Sequence, residues 1–409
     1  SLWHGAANLM KDMHHGSIRM ADEHAFVVGK DIATTPGAVV YRNELLEVIQ
    51  YAPATAQAHQ VPIVLIAPWI NKYYILDLSP DKSLIKYLTE QGFTVFVTSW
   101  KNPGPELRDA SLDDYMLNGV LQAVNVARQI CNDSPVHLAG YCLGGTIVAA
   151  LMAWLNSPDS EQIPVAHWSL FTTLVDFSNP GEIGVFIDAN GIEYLERRMA
   201  QTGLLDGQDM ANTFRSLRAN SLIWYQFVHN YLLGKAPPKF DILSWNMDVT
   251  RMPAAMHSFY LRELYLNNRL AQPDSLSLGG RSLDLKRIRQ PLYAVGAEQD
   301  HITPWQQTFK TTHLVGGPVR YVLATSGHIQ GIISPPVIPP KRRYWANTVE
   351  GQCSPEAWCD NTTKLPGSWW DDWTTWLRPL CGPQQPPPRL GSKQHPRLSD
   401  APGSYVSEH

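Results

Sequence analysis

Nowhere does this chain hold the roughly 20 consecutive apolar residues that a membrane-crossing helix needs. No basic stretch followed by an apolar run opens it as a signal peptide would, so no membrane span and a cytoplasmic location are expected. It has little cysteine: Cys131, Cys142, Cys353, Cys359 and Cys381. Their number is odd and their spacing matches neither a zinc site nor a disulfide framework, which fits a reducing compartment and leaves no metal expected. It also lacks a cationic excess. A net charge of -4 and a pI near 6.4 exclude a polybasic membrane anchor and give no sign of a nucleic-acid partner. There is no P-loop and no G-x-G-x-x-G to cradle a nucleotide, and no cofactor is expected. The chain opens on Ser1 rather than Met, within what reads as helical sequence, so a missing N-terminal part is expected.

What is present is apolar matter. Of 409 residues, 44% are hydrophobic and only 17% charged, enough for a large buried core. The stretch on which the chain turns is Gly140-Tyr141-Cys142-Leu143-Gly144-Gly145. The apolar run Pro135-Val136-His137-Leu138-Ala139 precedes it, and Thr146-Ile147-Val148-Ala149-Ala150-Leu151-Met152-Ala153-Trp154 follows with helical character. Strand, sharp turn, helix with G-x-C-x-G spacing is the G-x-S-x-G nucleophile elbow with sulfur in place of oxygen. Glycines flank the turn because the nucleophile's backbone is strained and its neighbours must come close. A thiol there sits beside a helix N-terminus, which favours its reactive form.

Around the elbow the pattern is an alternation of strand and helix. Ile63-Val64-Leu65-Ile66-Ala67 reads as a strand covered on both faces, and a helix opening at Ser79-Pro80 runs to Gly92. Phe93-Thr94-Val95-Phe96-Val97 is the next strand, and Ser111 caps a helix from 112 to about 130. Trp168 to Val175 is a further strand. This succession implies an α/β fold, a mostly parallel central sheet wound right-handedly. Residues 1–60 are a lead-in, in which Glu44 to Tyr51 fits strand or helix. Residues 61–180 are the first half of the core with the elbow. Residues 181–285 break the alternation and read as a helical cap. Residues 286–335 are the second half, with Arg320-Tyr321-Val322-Leu323 as the last strand. Residues 336–409 are rich in Pro and Trp; Pro335-Pro336, Pro339-Pro340 and Pro386-Pro387-Pro388 break any regular element. The tryptophans are expected to pin this segment to the body, and the final twenty-odd residues to form a loosely held tail.

A nucleophile at an elbow needs a base and the base an orienting acid, placed later in the chain at strand ends. Of fourteen histidines, His328 in Thr325-Ser326-Gly327-His328 follows the last predicted strand directly. Two acids compete: Asp176, ending the strand after the elbow, and Asp300, in a loop that leads into a Pro-started helix. Asp300 is favoured. The oxyanion needs two backbone N–H groups. Leu143 should supply one and the loop after Ile63-Val64-Leu65-Ile66-Ala67 the other; Pro68 has no N–H, which leaves Ile70 or Asn71. Asp77 and His301 are auxiliary candidates, Asp77 with a plain structural reading beside the catalytic one. His137, inside the elbow strand, reads as structural.

These residues resemble a known family. Ile70-Asn71-Lys72-Tyr73-Tyr74-Ile75-Leu76-Asp77-Leu78, Ser99-Trp100-Lys101-Asn102-Pro103, Gly140-Tyr141-Cys142-Leu143-Gly144-Gly145-Thr146, Asp300-His301-Ile302-Thr303-Pro304-Trp305 and Gly327-His328-Ile329 are similar, in order, to stretches of the catalytic domain of polyhydroxyalkanoate synthases. The resemblance covers nearly the whole chain. It implies a capped α/β-hydrolase fold, a Cys142–Asp300–His328 triad and an absent N-terminal domain. It also implies polymerisation of short-chain (R)-3-hydroxyacyl-CoA, such as 3-hydroxybutyryl-CoA, through a Cys thioester. The implied partners are the acyl-CoA, the growing polyester chain and its granule surface, a second copy in a homodimer, and granule-associated proteins. The rivals are a Cys-dependent thioesterase or polyester hydrolase of the same fold, and a non-catalytic granule-surface binder using the Trp-rich surface.

Overall fold

The computed structural model describes residues 25–210 and 239–409, together with positions 10, 228, 232 and 233. The helical reading of the first residues lies outside the described residues. Eleven strands form the central sheet. In chain order they are β1 Gly37–Arg42, β2 Leu46–Tyr51, β3 Ile63–Ile66, β4 Val95–Trp100, β5 Val136–Tyr141 and β6 Val165–Phe171, then β7 Leu292–Ala297, β8 Val319–Ala324, β9 Arg343–Thr348, β10 Lys364–Pro366 and β11 Ser399–Asp400. Across the sheet they lie β10-β9-β8-β7-β6-β5-β3-β4-β2-β1-β11. The six from β3 to β8 are parallel to their neighbours, and the flanking strands are antiparallel.

Four of the parallel strands, β3, β4, β5 and β7, are buried from end to end because both faces are covered, and β6 and β8 each have one partly exposed residue. Side chains alternate between the two faces. Val64, Ile66 and Leu138 join one apolar cluster, while Ile63, Leu65, Ala139 and Tyr141 join the other. The first cluster takes in the elbow helix Leu143–Leu155, which is apolar almost all round and buried accordingly. The second takes in the helix Leu84–Glu90 and the tryptophan helix Trp369–Leu380. The elbow thus lies inside a three-layer body.

Several expectations are corrected. The helix read from Ser79-Pro80 begins one turn later, at Leu84. Ser83 is the better cap: its hydroxyl donates to Asp77 at 2.6 Å and accepts from the Lys86 N–H at 2.9 Å. Ser111 caps as read, through a reciprocal box with Asp114, but the helix carries a π segment over Tyr115–Val120. Glu44 to Tyr51 resolves as strand β2. The strand at 320–323 is not the last, since β9 to β11 follow it. The C-terminal segment also forms the twelve-residue tryptophan helix despite its prolines, and Pro379 sits in its last turn, where the missing N–H costs one bond at the very end of the helix.

Nor is the end of the chain loose. Glu47, fully buried on β2, accepts from Arg42 at 2.6 and 2.8 Å, from the Ser404 hydroxyl at 2.8 Å and from the Tyr405 N–H at 3.1 Å. The Tyr405 hydroxyl donates to the Asn43 carbonyl at 2.6 Å. A buried carboxylate so placed must keep its donors or meet an unfavourable desolvation. Glu47→Ala is therefore expected to destabilise the protein by about 2 kcal/mol and to speed proteolytic loss of the final dozen residues. A thermal midpoint and a limited-digest time course read both; unchanged digestion would remove Glu47 as the anchor.

Candidate active site

The elbow is built by close approach. Cys142 has φ 54° and ψ -121°, a strained conformation for a residue with a Cβ. Its N–H donates to the Phe171 carbonyl at 2.9 Å and its carbonyl accepts from Thr173 Oγ1 at 3.2 Å, so the end of β6 and the residues just after it hold the turn from both sides. A Cβ on Gly140 would stand 2.5 Å from the Gly145 Cα, and one on Gly145 would run into the Thr173 hydroxyl. Leu143 opens the helix, and its N–H is a first-turn donor that no intrahelical carbonyl satisfies.

Asp300 and His328 come from the loops after β7 and β8, neighbouring parallel strands in register. The Asp300 carboxylate is fully buried. Its Oδ1 accepts from the Ile302 and Thr303 N–H groups, both at 2.9 Å. Its Oδ2 accepts from Thr303 Oγ1 and from His328 Nδ1, both at 2.7 Å. With Nδ1 engaged, Nε2 is the ring nitrogen left over, and the Cys142 thiol is near enough to the imidazole to favour its charged form. Burial alone would push the Asp300 carboxyl up, but the His328 imidazole and the Thr303 donors hold it below its ordinary value. Burial likewise opposes a charge on His328; Asp300 first, then Cys142, outweigh it and raise the imidazole well above its usual range. The two partners are each shifted towards their charged forms.

Two residues that sequence reasoning missed support this pair. Thr303 also meets His328 Nδ1 at 3.2 Å. Tyr141 donates its hydroxyl to the His328 carbonyl at 3.1 Å and stacks on the imidazole with 5.6 Å between centroids. The spacing of Asp300 and Thr303, with Thr303 just before Pro304, was the available signal for the first; nothing local marks the second.

Asp176 is elsewhere occupied. It accepts from the Ser178 N–H at 2.8 Å, Asn268 at 3.1 Å and Gln307 at 2.7 Å, joining the later part of the 181–285 segment, through Asn268, to the core. Asp77 is corrected as an auxiliary candidate. It is buried against Thr35 and Ser83, accepting from both hydroxyls at 2.5 and 2.6 Å and from the Thr35 N–H at 3.2 Å, and it fastens the lead-in to the core. Burial raises its carboxyl despite those donors. His301, by contrast, lines the same cavity as Cys142 and His328.

That cavity encloses about 510 Å³. Pro68, Ile70 and Asn71 line it together with Cys142, and Phe240, Ile242 and Trp245 line it from the side of the 181–285 segment. Asn71 is tied to that side by its side-chain amide, which donates to the Asn246 and Asp248 carbonyls at 3.3 and 3.4 Å. A mostly apolar chamber with a few convergent polar groups suits an acyl substrate. Among the described residues no cluster of His, Cys, Asp and Glu is placed to hold a metal, and no helix is long and apolar enough to cross a membrane.

The strand order, the elbow and the acid–histidine pair at successive strand ends define an α/β-hydrolase-fold protein with cysteine at the elbow. A family model described as the alpha/beta hydrolase fold matches residues 70–159, and one described as the N-terminus of poly-beta-hydroxybutyrate polymerase matches residues 1–88. The chain is 44% identical, over 99% of its length and 68% of the relative's, to a poly(3-hydroxyalkanoate) polymerase of Methylorubrum extorquens. It is 40% identical to a poly(3-hydroxyalkanoate) polymerase subunit of Cupriavidus necator, over 99% of its own length and 69% of the relative's. With poly(3-hydroxyalkanoate) polymerase 2 of Ectopseudomonas oleovorans the identity is 41%, over 99% of this chain and 72% of that one. The chain belongs to the poly(3-hydroxyalkanoate) polymerase family. The match over residues 1–88 corrects the expectation that N-terminal family sequence is absent.

The shifts of the buried pair fix a pH signature. Asp300, held low, lends stability above about pH 4, the unfolded carboxyl value, and loses it as pH falls through the folded value. His328, held high, lends stability below about pH 6.5 and loses it as pH rises through the folded value. The thermal midpoint of Asp300→Asn should therefore fall furthest below wild type between about pH 4 and 6.5, with the gap narrowing at higher pH. A gap that widens steadily towards alkaline pH would contradict the pairing.

Proposed function

We propose that this chain polymerises (R)-3-hydroxyacyl-CoA into polyhydroxyalkanoate with release of CoA, through an acyl thioester on Cys142. The observation that carries the reading is a fully buried carboxylate 2.7 Å from His328 Nδ1, which aims the imidazole at an elbow cysteine in a chain of this family.

On this reading His328 takes the Cys142 thiol proton as sulfur attacks the substrate thioester. The tetrahedral oxyanion rests on the Leu143 N–H and on a second N–H from Ile70 or Asn71. Its collapse expels the CoA thiolate, which His328 protonates. The 3-hydroxyl of the next monomer then attacks the acyl carbonyl, giving its proton to His328. An ester bond forms and the Cys142 thiol is freed. Cys142 recaptures the lengthened chain from CoA by the same exchange. Transfer between two thioesters is nearly balanced, so sulfur suits a chain that must be passed back and forth. Asp300 keeps the imidazole oriented and offsets its charge. The apolar cap side of the cavity keeps water from the acyl-enzyme, which separates synthesis from hydrolysis. The reaction as written calls for no metal or redox group. A short acyl chain such as 3-hydroxybutyryl, a location at the polyester granule in the cytoplasm, and a homodimeric working form belong to the same proposal.

Cys142→Ala should abolish CoA release from 3-hydroxybutyryl-CoA, with no polyester recovered. Asp300→Asn should lower turnover at least a hundredfold and Asp176→Asn no more than a few-fold. Free 3-hydroxybutyrate as the sole product of the unaltered chain would make it a thioesterase instead, and equal losses from the two Asp variants would unseat Asp300.

A further inference from the structure

Beneath the sheet lies a buried polar cluster that the reaction does not use. His137 on β5 and His167 on β6 face each other, Nδ1 to Nδ1, at 2.6 Å. His137 Nε2 meets the Ser169 hydroxyl at 2.8 Å, and that oxygen accepts the Trp373 indole N–H at 3.0 Å. His167 Nε2 meets the Leu380 carbonyl at 3.1 Å. Both ends of this path lie on the tryptophan helix, and its middle lies on the sheet.

Its direction is determined by its ends. A carbonyl only accepts, so His167 Nε2 carries a proton and, in a neutral ring, His167 Nδ1 accepts. His137 Nδ1 must then donate, and its Nε2 accepts from Ser169. Ser169 in turn uses an oxygen lone pair for Trp373. Every group is satisfied once, in one sense, with both imidazoles neutral. A second proton on His167 would set two N–H groups nose to nose at the 2.6 Å separation, and one on His137 would reverse its bond to Ser169 and leave the Ser169 hydroxyl hydrogen without that acceptor.

The same helix grips the loop that carries His328. Its first tryptophans donate their indole N–H groups to the Gly331 and Ile332 carbonyls at 2.9 and 2.8 Å, and Ser368 bonds the Ser334 carbonyl. Phe171, whose carbonyl holds the Cys142 N–H, packs its ring on Trp369 and Trp373 with 5.0 Å between centroids in each case.

We propose that His137, His167 and Ser169 are positioning residues for the reaction: a one-directional hydrogen-bond relay that seats the tryptophan helix and, through it, His328, and that loses its single sense when either imidazole gains a second proton. The turnover half of this rests on the polymerase reading above; the relay itself does not. Burial first, then the facing ring, holds His137 well below the usual imidazole range, and burial holds His167 down, in keeping with two neutral rings at neutral pH.

The surrounding ionisable groups are accounted for. On β7, Tyr293 donates to Asp372, as does Arg320 of β8. Tyr87 of the helix Leu84–Glu90 donates to Asp371, and Arg378 donates to Gln91. Cys381 follows the helix with its thiol pushed up to about 12 by burial. His59 meets the Gly382 carbonyl at 3.0 Å and is the remaining imidazole near this end.

The test has two arms on the full chain. Long-range proton–nitrogen spectra of the histidine-labelled protein, assigned with His59→Gln, His137→Gln and His167→Gln, should show a neutral Nδ1–H tautomer for His137 and a neutral Nε2–H tautomer for His167 at pH 7. The reverse tautomers, or a charged ring at that pH, would overturn the relay whether or not the chain makes polyester. In the second arm, Ser169→Ala should lower kcat for CoA release about tenfold with KM within twofold, and move the acid limb of the kcat profile to higher pH. Ser169→Thr, which keeps the hydroxyl, should recover most of the loss. An unaltered kcat and acid limb in Ser169→Ala, or no recovery with Thr, would leave the relay without its positioning role.

Discussion

The constraint on which the rest depends is the backbone of Cys142. A residue with a Cβ held at φ 54° is strained by roughly 1–3 kcal/mol, and it stays there only because its surroundings leave no alternative. The Gly140–Gly145 crossing admits no side chain, and Phe171 at the end of β6 and Thr173 just after it pin the cysteine's N–H and carbonyl. The stored strain turns the thiol out of the strand and away from the helix it starts. The Leu143 N–H, in the first turn of that helix, has no intrahelical acceptor.

Electrostatics then does what covalent geometry cannot. Asp300 and His328 are buried deeply enough that each alone would resist its charge, yet each is shifted towards its charged form by the other. Such a pair is weak in what it adds to stability compared with two apolar residues, but breaking it by removing one partner is severe. Orientation is the return: with Asp300 fixed by two backbone N–H groups and Thr303, the imidazole has one direction in which to present Nε2. The proposed reaction passes protons in both directions through that nitrogen, so its orientation matters at every step.

How much of this the sequence carries follows from the range of the interactions. The elbow is local: glycines, an apolar strand and an apolar helix lie within twenty residues. The parallel core was legible because each strand and helix keeps its own period. His328 and Asp300 could be placed because such a fold puts its catalytic groups at strand ends. The C-terminal segment was misread because its prolines are local signals, while what orders it is distant: Glu47 holds Ser404 and Tyr405 from more than 350 positions away, and β9 pairs with β8 across a proline-rich loop. The hairpin Leu276–Leu278 to Arg281–Leu283 was overlooked though its signal is short-range. Gly279 and Gly280 both have positive φ, as a two-residue turn requires. Asp77 was ambiguous for the opposite reason: an acid beside a catalytic loop looks the same in sequence whether it faces the cavity or the core.

The distribution of tryptophan bears on what the aromatic richness is for. A granule-binding surface would need these rings outside. Trp69, Trp100, Trp168, Trp245, Trp358, Trp369, Trp370 and Trp373 are instead buried, and the indole N–H groups of six of them find carbonyl or hydroxyl partners. A buried indole combines a large apolar area with one directional donor. Repeated along one helix, it welds the C-terminal segment to the loop that bears His328. The aromatic content among the described residues thus packs the body behind the site, and Trp245 joins Phe240 and Ile242 in lining the cavity itself.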